Sequence, residues 1–187
     1  CEGCMRIIGG TAKGHAIKAP KGVDTRPTLD RVRESVFNVL ANRGIFGTDV
    51  LDIFSGTGAV AIEALSRGAA HAVAVDFKTG KLILENAKHC RVDDRLEIIP
   101  RKLSQLKNYI VGRQFDYIFS DPPYENGFIQ ETIDMVVDCD LLKPEGVLLL
   151  EHHKDEAFTL PESWKCIKEQ KFGYTMVSYF VNIAERS

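Results

Sequence analysis

The spacing of apolar residues predicts one long helix near the start of the chain. The residues that recur there at helical spacing are Val32, Val36, Phe37, Val39 and Leu40. They predict a helix over about 29–42, with the Thr28 hydroxyl as its N-terminal cap and Gly44 and Gly47 beyond its end. Arg31, Arg33 and Glu34 lie largely off the apolar stripe.

From residue 49 onward, short apolar runs alternate with amphipathic segments. The runs predict strands over 50–54, 72–76, 96–100, 116–120 and 147–151. The segments between them predict helices over 59–67, 79–90, 103–110 and 128–139. Strands that alternate with helices are typical of an α/β fold with a doubly wound parallel sheet.

Both ends of the chain depart from this alternation. Segments 164–170 and 174–183 are strand-like and are joined by a tight turn, so they should pair antiparallel. Segments 6–8 and 15–18 predict a short hairpin across glycine-rich residues 9–14. We therefore divide the chain into a small N-terminal extension, 5–44, and a main domain, 45–187. Residues 1–4 precede Met5 and are interpreted as an expression remnant.

The composition is that of an ordinary globular protein, with 187 residues, 44% hydrophobic and 27% charged. No apolar run has membrane-spanning length and no secretory signal is visible, which favours a cytoplasmic location. The five cysteines are scattered, and Cys1 and Cys4 have no second pair of metal ligands. The five histidines form no ligand pattern either, so no metal is expected.

The charge distribution is uneven along the chain. Residues 5–33 contain seven basic and two acidic side chains, so they carry +5, while the total of −2 leaves −7 for the rest. A basic arm on an acidic body suggests a surface that binds phosphate. A solvated extension without a partner would have the same pattern.

A glycine loop follows the first strand of the main domain. Gly56 and Gly58 stand at the strand-to-helix junction, where backbone can approach a ligand without a Cβ clash. Asp76, at the end of the next strand, can accept from ribose hydroxyls. The two features suit NAD and S-adenosylmethionine equally, and a plain tight turn remains an alternative for the loop.

The sequence Asp121-Pro122-Pro123-Tyr124 directly follows the strand that ends at Ser120. Two prolines after an aspartate give a rigid extended turn that lacks two N–H donors and keeps its acceptors. Such acceptors can hold an exocyclic amine, and Tyr124 can stack on the base that carries it.

The chain resembles the RsmD-type bacterial methyltransferases of guanine N2 in small-subunit (16S) ribosomal RNA. The resemblance covers nearly the whole chain from Met5 and is weakest after about residue 155. The stretches that carry it are Met5–Gly10, Lys13-Gly14, Thr25–Thr28, Asp30–Glu34, Phe37-Asn38, Glu63–Ala69 and the Asp-Pro-Pro-Tyr turn.

This resemblance implies a class I, Rossmann-like fold with a seven-stranded sheet and an antiparallel last strand. It also implies S-adenosylmethionine as cofactor, ribosomal RNA or the assembling small subunit as partner, and a monomer. The implied catalytic residues are Asp121, Pro122, Pro123 and Tyr124. The implied cofactor contacts are Asp52, Phe54, Ser55, Gly56, Thr57, Gly58, Asp76, Phe77 and Asp121. The implied RNA contacts are Arg6, Lys13, Arg26, Thr28, Arg31 and Arg33.

Three further positions can be compared with the family pattern. Lys102 stands where the family usually has an acid suited to the adenine of the cofactor, and Ser120 replaces a more typical apolar residue. Asn86 matches a family position and is interpreted as structural.

There are three alternative functions: a DNA adenine-N6 methyltransferase, a non-catalytic RNA-binding protein and an NAD-linked oxidoreductase. The last of these has no use for the Asp-Pro-Pro-Tyr turn.

Overall fold

A seven-stranded sheet with helices packed on both faces forms the body of the protein. The computed structural model describes residues 5–20, 27–124 and 126–184, except for the side chains of residues 27 and 28. Residues 1–4, including the predicted expression remnant, lie outside the described residues. Within the described ranges, no helix has both the length and the apolar character needed to span a membrane.

The predicted elements are all present, with small shifts at their ends. The strands are β1 (Met5–Arg6), β2 (Ala16–Ile17), β3 (Asp49–Ile53), β4 (His71–Val75), β5 (Leu96–Ile99), β6 (Phe115–Ser120), β7 (Leu142–His153), β8 (Trp164–Phe172) and β9 (Thr175–Asn182). The helices are α1 (Pro27–Arg43), α2 (Ala59–Ser66), α3 (Gly80–His89), α4 (Leu103–Ile110) and α5 (Phe128–Asp138).

The order of strands in the large sheet is β5-β4-β3-β6-β7-β9-β8. The first five strands are parallel, and β9 pairs antiparallel with both β7 and β8. The order reverses between β3 and β6, which is where doubly wound sheets bind ligands at the carboxyl ends of their strands. The predicted α/β fold with an antiparallel last strand is confirmed.

Strand alternation divides the interior into two layers of core. Val50 and Phe119 belong to the layer that packs against α1, α2 and α3, whereas Leu51 and Ile118 belong to the layer against α4 and α5. Successive side chains of a strand point to opposite faces, so a strand covered on both sides is apolar throughout. The near-continuous apolar runs of the sequence follow from this burial.

The N-terminal extension packs directly on the first of these layers. The predicted hairpin forms, with Met5 paired to Ile17 across β1 and β2. Ile7 and Ile17 are almost fully buried in the same core cluster as Phe37 and Leu40 of α1. The extension is therefore continuous with the core of the main domain.

Two predictions about α1 are wrong. The helix begins at Pro27, so Thr28 lies in its first turn instead of preceding it as the cap. A proline suits the first helical position because its fixed φ is helical and its missing N–H would have had no partner there. Arg33 lies on the buried side of the helix, because it is three and four residues before Val36 and Phe37. Gly44, with a φ of 104°, follows the helix as predicted.

Candidate active site

The loop between β3 and α2 turns sharply through three residues with positive φ. Phe54, Gly56 and Gly58 have φ values of 59°, 59° and 82°. Phe54 is the strained member, because residues with a side chain rarely adopt this region. The Gly58 N–H donates to the Ser55 carbonyl over 2.9 Å and closes the turn. The loop thereby presents its backbone at the carboxyl end of the sheet.

Asp76 is fixed beside this loop by three backbone amides. Its Oδ2 accepts from Gly56 N at 3.0 Å, and its Oδ1 accepts from Lys78 N and Thr79 N at 2.9 and 3.2 Å. Each carboxylate oxygen can accept two hydrogen bonds or more, so the group keeps capacity for a ligand. A ribose diol matches that capacity.

An aromatic surface lies next to Asp76. The Phe77 side chain is 49% exposed, and the ammonium groups of Lys78 and Lys102 lie 5.1 and 5.4 Å from its ring centroid. Lys102 thus reaches the place where the family resemblance leads us to expect a carboxylate. An exposed aromatic ring can pack against a purine, and here Lys102 places a cation, not an anion, over that ring.

Asp52 is a buried carboxyl behind the glycine loop. Its Oδ2 accepts from Ser55 Oγ at 2.6 Å and from Ala61 N at 3.3 Å. Burial raises its pKa to about 7, although these two hydrogen bonds oppose the shift. The carboxyl therefore favours any positively charged or N–H group that enters the adjoining space.

Asn86 joins the loop to the N-terminal extension. Its Nδ2 donates to the carbonyls of Thr57 and Lys18 at 2.9 and 3.0 Å, and its Oδ1 accepts from Lys18 N at 3.0 Å. The side chain is buried, and all three bonds go to backbone. Its interpretation as a structural residue is confirmed.

The Asp-Pro-Pro-Tyr turn leaves the sheet at the end of β6. Pro122 is buried, while Asp121, Pro123 and Tyr124 are exposed. Although the residue is exposed, desolvation of the Asp121 carboxyl by the surrounding protein raises its pKa to about 6. The Tyr124 ring lies 4.9 Å from the His153 ring, centroid to centroid, at a tilt of 45°.

Two clefts meet at this turn. The first, of about 480 Å³, is lined by Asp76, Phe77, Lys102 and Pro123, and we call it the β4 cleft. The second, of about 240 Å³, runs beneath α1, and we call it the α1 cleft. Its lining includes Val36, Phe37, Asp52, Gly56, Thr57, Phe119 and Glu151. Phe54 and Asp121 line both clefts.

Glu151 is a member of the α1 cleft that the sequence motifs did not reveal. It lies in β7, near the carboxyl end of the neighbouring parallel strand β6, one residue beyond Leu150, which pairs with Ser120. Burial, and then the charge of Asp121, raises its pKa to about 8. The signal available in the sequence was its position: it follows an apolar run of a parallel strand, as Asp121 does.

The basic residues of the extension divide into exposed and buried groups. Arg6, Lys13 and Arg31 are exposed, and Lys18 is exposed but paired with Glu85 at 2.6 Å. Arg31 lies 6.0 Å from the Phe172 ring centroid. Arg26 and the Thr28 side chain, both predicted RNA contacts, lie outside the described residues.

Arg33 has internal partners instead of a place on the surface. Its side chain is 5% exposed; it donates to the Arg6 carbonyl, and its Nε lies 3.6 Å from Glu63. Glu63 is fully buried in α2 and also accepts from the backbone of Ile8 and Gly9 and from Arg67, at 2.9–3.0 Å. Burial lowers the pKa of Arg33, with Glu63 opposing that shift. Arg33 therefore ties the extension to the body and is withdrawn as a candidate RNA contact.

The fold, the glycine loop and Asp76 define an S-adenosylmethionine-dependent methyltransferase. The residues of the β4 cleft fit this cofactor, because a carboxylate for a ribose lies beside an aromatic face for an adenine. The solved structure titled putative methyltransferase yhhF from Escherichia coli superimposes with a TM-score of 0.86 at 31% identity, covering 98% of this chain and 100% of that one.

Comparison of sequences is more specific. A family profile described as conserved hypothetical protein 95 matches residues 5–181. The Bacillus subtilis protein named putative rRNA methyltransferase YlbH is 32% identical, over 94% of this chain and 98% of its own length. The Escherichia coli ribosomal RNA small subunit methyltransferase D is 33% identical, over 92% of this chain and 87% of its own length. The chain belongs to the RsmD family.

Proposed function

We propose that the protein methylates the exocyclic N2 of a guanine in the 16S RNA of the small ribosomal subunit. Relatives named for methylation of ribosomal RNA match nearly the whole chain, which supports an RNA substrate of this kind. The observation that carries the proposal is that Asp121 lines both clefts. A cofactor whose nucleoside lies in the β4 cleft and whose remaining part follows the glycine loop to the border of the α1 cleft would meet a base in the α1 cleft beside Asp121.

The turn acts on the amine through its acceptors. The lone pair of an exocyclic amine is delocalised into the base, so the nitrogen is a weak nucleophile and alignment matters most. Asp121 and the Pro122 carbonyl accept hydrogen bonds from the amine, and Tyr124 stacks on the ring. Because Pro122 is buried and two prolines restrict the backbone, the acceptors stay in place.

The chain holds the cofactor through residues around the glycine loop. Asp76 binds the ribose, Phe77 packs on the adenine, and Gly56 lets the backbone approach closely. The cofactor supplies an electrophilic methyl group on a sulfonium. Burial raises the pKa values of Asp52 and Asp121, and a nearby cation stabilises the charged form of both carboxyls.

Methylation of the amine leaves its nitrogen with one proton in excess. Asp121 is in contact with this nitrogen and open to solvent, so its carboxylate can take the proton and release it to water. The role needs no metal ligand and no separate base.

The extension brings the RNA to the cleft. Met5, Ala19 and Leu29 line the α1 cleft, so RNA bound by the extension lies at its mouth. Arg6, Lys13 and Arg31 present exposed cations on this segment, and Arg26 and Thr28 remain candidates from the sequence. The target guanine has to leave its stack to enter the cleft.

The test is to identify the methylated nucleoside directly. The purified protein is incubated with methyl-labelled S-adenosylmethionine and either 16S RNA or assembled small subunits from a strain lacking the gene. The RNA is then digested and its nucleosides are analysed by mass spectrometry. N2-methylguanosine is the expected product. N6-methyladenine in a DNA control would indicate the adenine enzyme instead, and RNA binding without any product would indicate a non-catalytic protein.

A further inference from the structure

Glu151 and Asp121 lie close together near the carboxyl end of β6, where β6 and β7 are adjacent parallel strands. Ser120 of β6 pairs with Leu150 of β7 in parallel register, so Asp121 and Glu151 follow at the same level of adjacent strands. Neighbouring strands lie about 4.8 Å apart. The charge of Asp121 acts on Glu151, as expected at such a separation.

Both residues line the α1 cleft. Phe119 and Leu149 line this cleft, and so do the residues two positions later, Asp121 and Glu151. This is the two-residue period of a strand. The intervening Leu150 lies in the opposite core layer. The cleft therefore has a pair of carboxyl groups beside apolar walls formed by Val36 and Phe37.

The Glu151 carboxyl has no donor among the described residues of the chain. Within 5–20, 27–124 and 126–184 it accepts no hydrogen bond and makes no ion pair. Arg33, the basic residue in the described lining of the cleft, is bound to Glu63 instead. Glu151 is half-buried, and its carboxyl oxygens can accept a hydrogen bond from an N–H group of a ligand in the cleft.

Guanine presents two adjacent donors on its Watson–Crick edge, N1–H and the N2 amine. Adenine and cytosine each present an amine next to a ring nitrogen that accepts. Uracil has one N–H between two carbonyls. Of the four bases, guanine alone offers two adjacent donors, which matches this pair of carboxyl groups when both are ionised.

We infer that Glu151 selects guanine by accepting a hydrogen bond from its N1–H while Asp121 holds the N2 amine. The inference rests on the proposed function. It adds the residue that distinguishes guanine from bases whose exocyclic amine lies next to a ring nitrogen that accepts. Glu151 touches the substrate edge and leaves the cofactor to Asp76 and the glycine loop.

The experiment replaces the target guanosine by 2,6-diaminopurine in a synthetic RNA. This base keeps the 2-amine, but its N1 is an acceptor with no hydrogen. For the wild type, kcat/KM should be about 10- to 100-fold higher for guanine, the size of one hydrogen bond to a charged group. In Glu151→Gln the amide can donate to N1 of diaminopurine, so this preference should fall at least about 10-fold.

Asp52→Asn is the matched control, because it removes a carboxyl of the same cleft whose Oδ2 already accepts hydrogen bonds from Ser55 and Ala61. It should change methylation of both bases by the same factor and leave their ratio as in the wild type. Melting temperature and S-adenosylhomocysteine affinity of Glu151→Gln, both expected near wild type, show that the variant is folded and that its cofactor site is intact.

An unchanged base ratio in a folded Glu151→Gln protein would overturn the inference. A parallel loss of S-adenosylhomocysteine affinity would also overturn it, because Glu151 would then serve the cofactor. Both results leave the proposed function standing as long as the wild type forms N2-methylguanosine. Failure of the wild type to form that product contradicts the proposed function itself.

Discussion

At the scale of single residues, the two glycines of the cofactor loop have different constraints. A Cβ on Gly58 would lie 2.9 Å from Ile83 Cγ2, whereas a Cβ on Gly56 would meet no atom within 4 Å. Gly58 is therefore required for packing of α3 against the loop. Gly56 lines the α1 cleft, so its open side is available to a ligand.

Gly56→Ala is expected to weaken S-adenosylhomocysteine binding at least about 10-fold, because the added methyl group occupies ligand space. Positive φ adds a strain of about 1–3 kcal/mol. Gly112→Ala controls for that strain, since Gly112 also has positive φ and open surroundings but precedes β6 at the end remote from Asp121. Calorimetric titration of both variants is the measurement. Equal affinities would remove Gly56 from the cofactor site.

Asp121 and Glu151 also predict how activity depends on pH. Their pKa values are raised to about 6 and about 8, by burial and, for Glu151, also by the charge of Asp121. An N–H group bonds more strongly to a carboxylate than to the protonated acid. Hence kcat/KM for the RNA should increase as pH rises from about 6 to about 8. The two inflections give apparent pKa values of the coupled pair, not of the single residues.

The pH profile of wild type and Glu151→Gln tests this expectation. The variant should lose the upper inflection and level off at lower pH, because it no longer contains the carboxyl group whose pKa is raised to about 8. A wild-type profile that is flat or falls over this range would contradict the assigned roles.

Sequence position was sufficient to find Asp76 and Asp121, because each follows an apolar strand and borders a recognisable motif. Glu151 follows a strand too, but it has no motif of its own and its sequence neighbours His152 and His153 give no further indication. Only the order of strands shows that β6 and β7 are adjacent. The pairing of Asp121 with Glu151 is a property of the sheet, so the linear pattern could not reveal it.

At the scale of elements, α2 connects the N-terminal extension to the sheet. Its residue Glu63 is fully buried and contacts the hairpin loop at Ile8 and Gly9, Arg33 of α1 and Arg67 at the end of α2 itself. Apolar periodicity predicted the helices, but it treats charged residues as exposed. Arg33 and Glu63 are far apart in the sequence, so their burial as a pair follows only from the packing of α1 on α2.

Glu63→Gln should destabilise the protein by about 3–5 kcal/mol, because buried Arg33 loses its buried counter-charge and keeps only the 48% exposed Asp30 side chain, 3.4 Å away. Glu97→Gln is the matched control: it removes an ion pair with Arg113 whose side chains are 50% and 40% exposed. Such an exposed pair contributes about 0–1 kcal/mol. Urea unfolding measures both values. A loss for Glu63→Gln no larger than that for Glu97→Gln would show that the network does not hold the extension in place.

At the scale of the whole molecule, positive and negative charge are separated between the basic extension and the acidic body. Residues 5–33 carry +5 and the rest −7, so we propose that phosphate binding is confined to the extension. The α1 cleft is acidic in its lining and borders that extension. On this proposal, RNA phosphates bind outside the α1 cleft, while the carboxyl groups inside it favour the hydrogen-bond donors of a base.

The double variant Lys13→Ala/Arg31→Ala should weaken RNA binding and reduce the salt slope by about 0.7–0.9 for each phosphate that the protein no longer neutralises. Both side chains are exposed, so stability should change little. Lys88→Ala/Lys107→Ala removes equal charge from exposed positions of α3 and α4 and should leave the slope unchanged. Filter binding at several salt concentrations gives the slopes. Equal slopes for the two double variants would mean that the extension does not bind phosphate.

The central claim is that Asp121 positions the N2 amine of guanine for methyl transfer. Single-turnover formation of N2-methylguanosine, measured with saturating cofactor for wild type and Asp121→Ala, tests it most directly. We expect a rate about 10²–10³-fold lower in the variant, the scale of losing one positioned hydrogen-bonding group, with little change in S-adenosylmethionine affinity. Methylation by Asp121→Ala at the wild-type rate would contradict it.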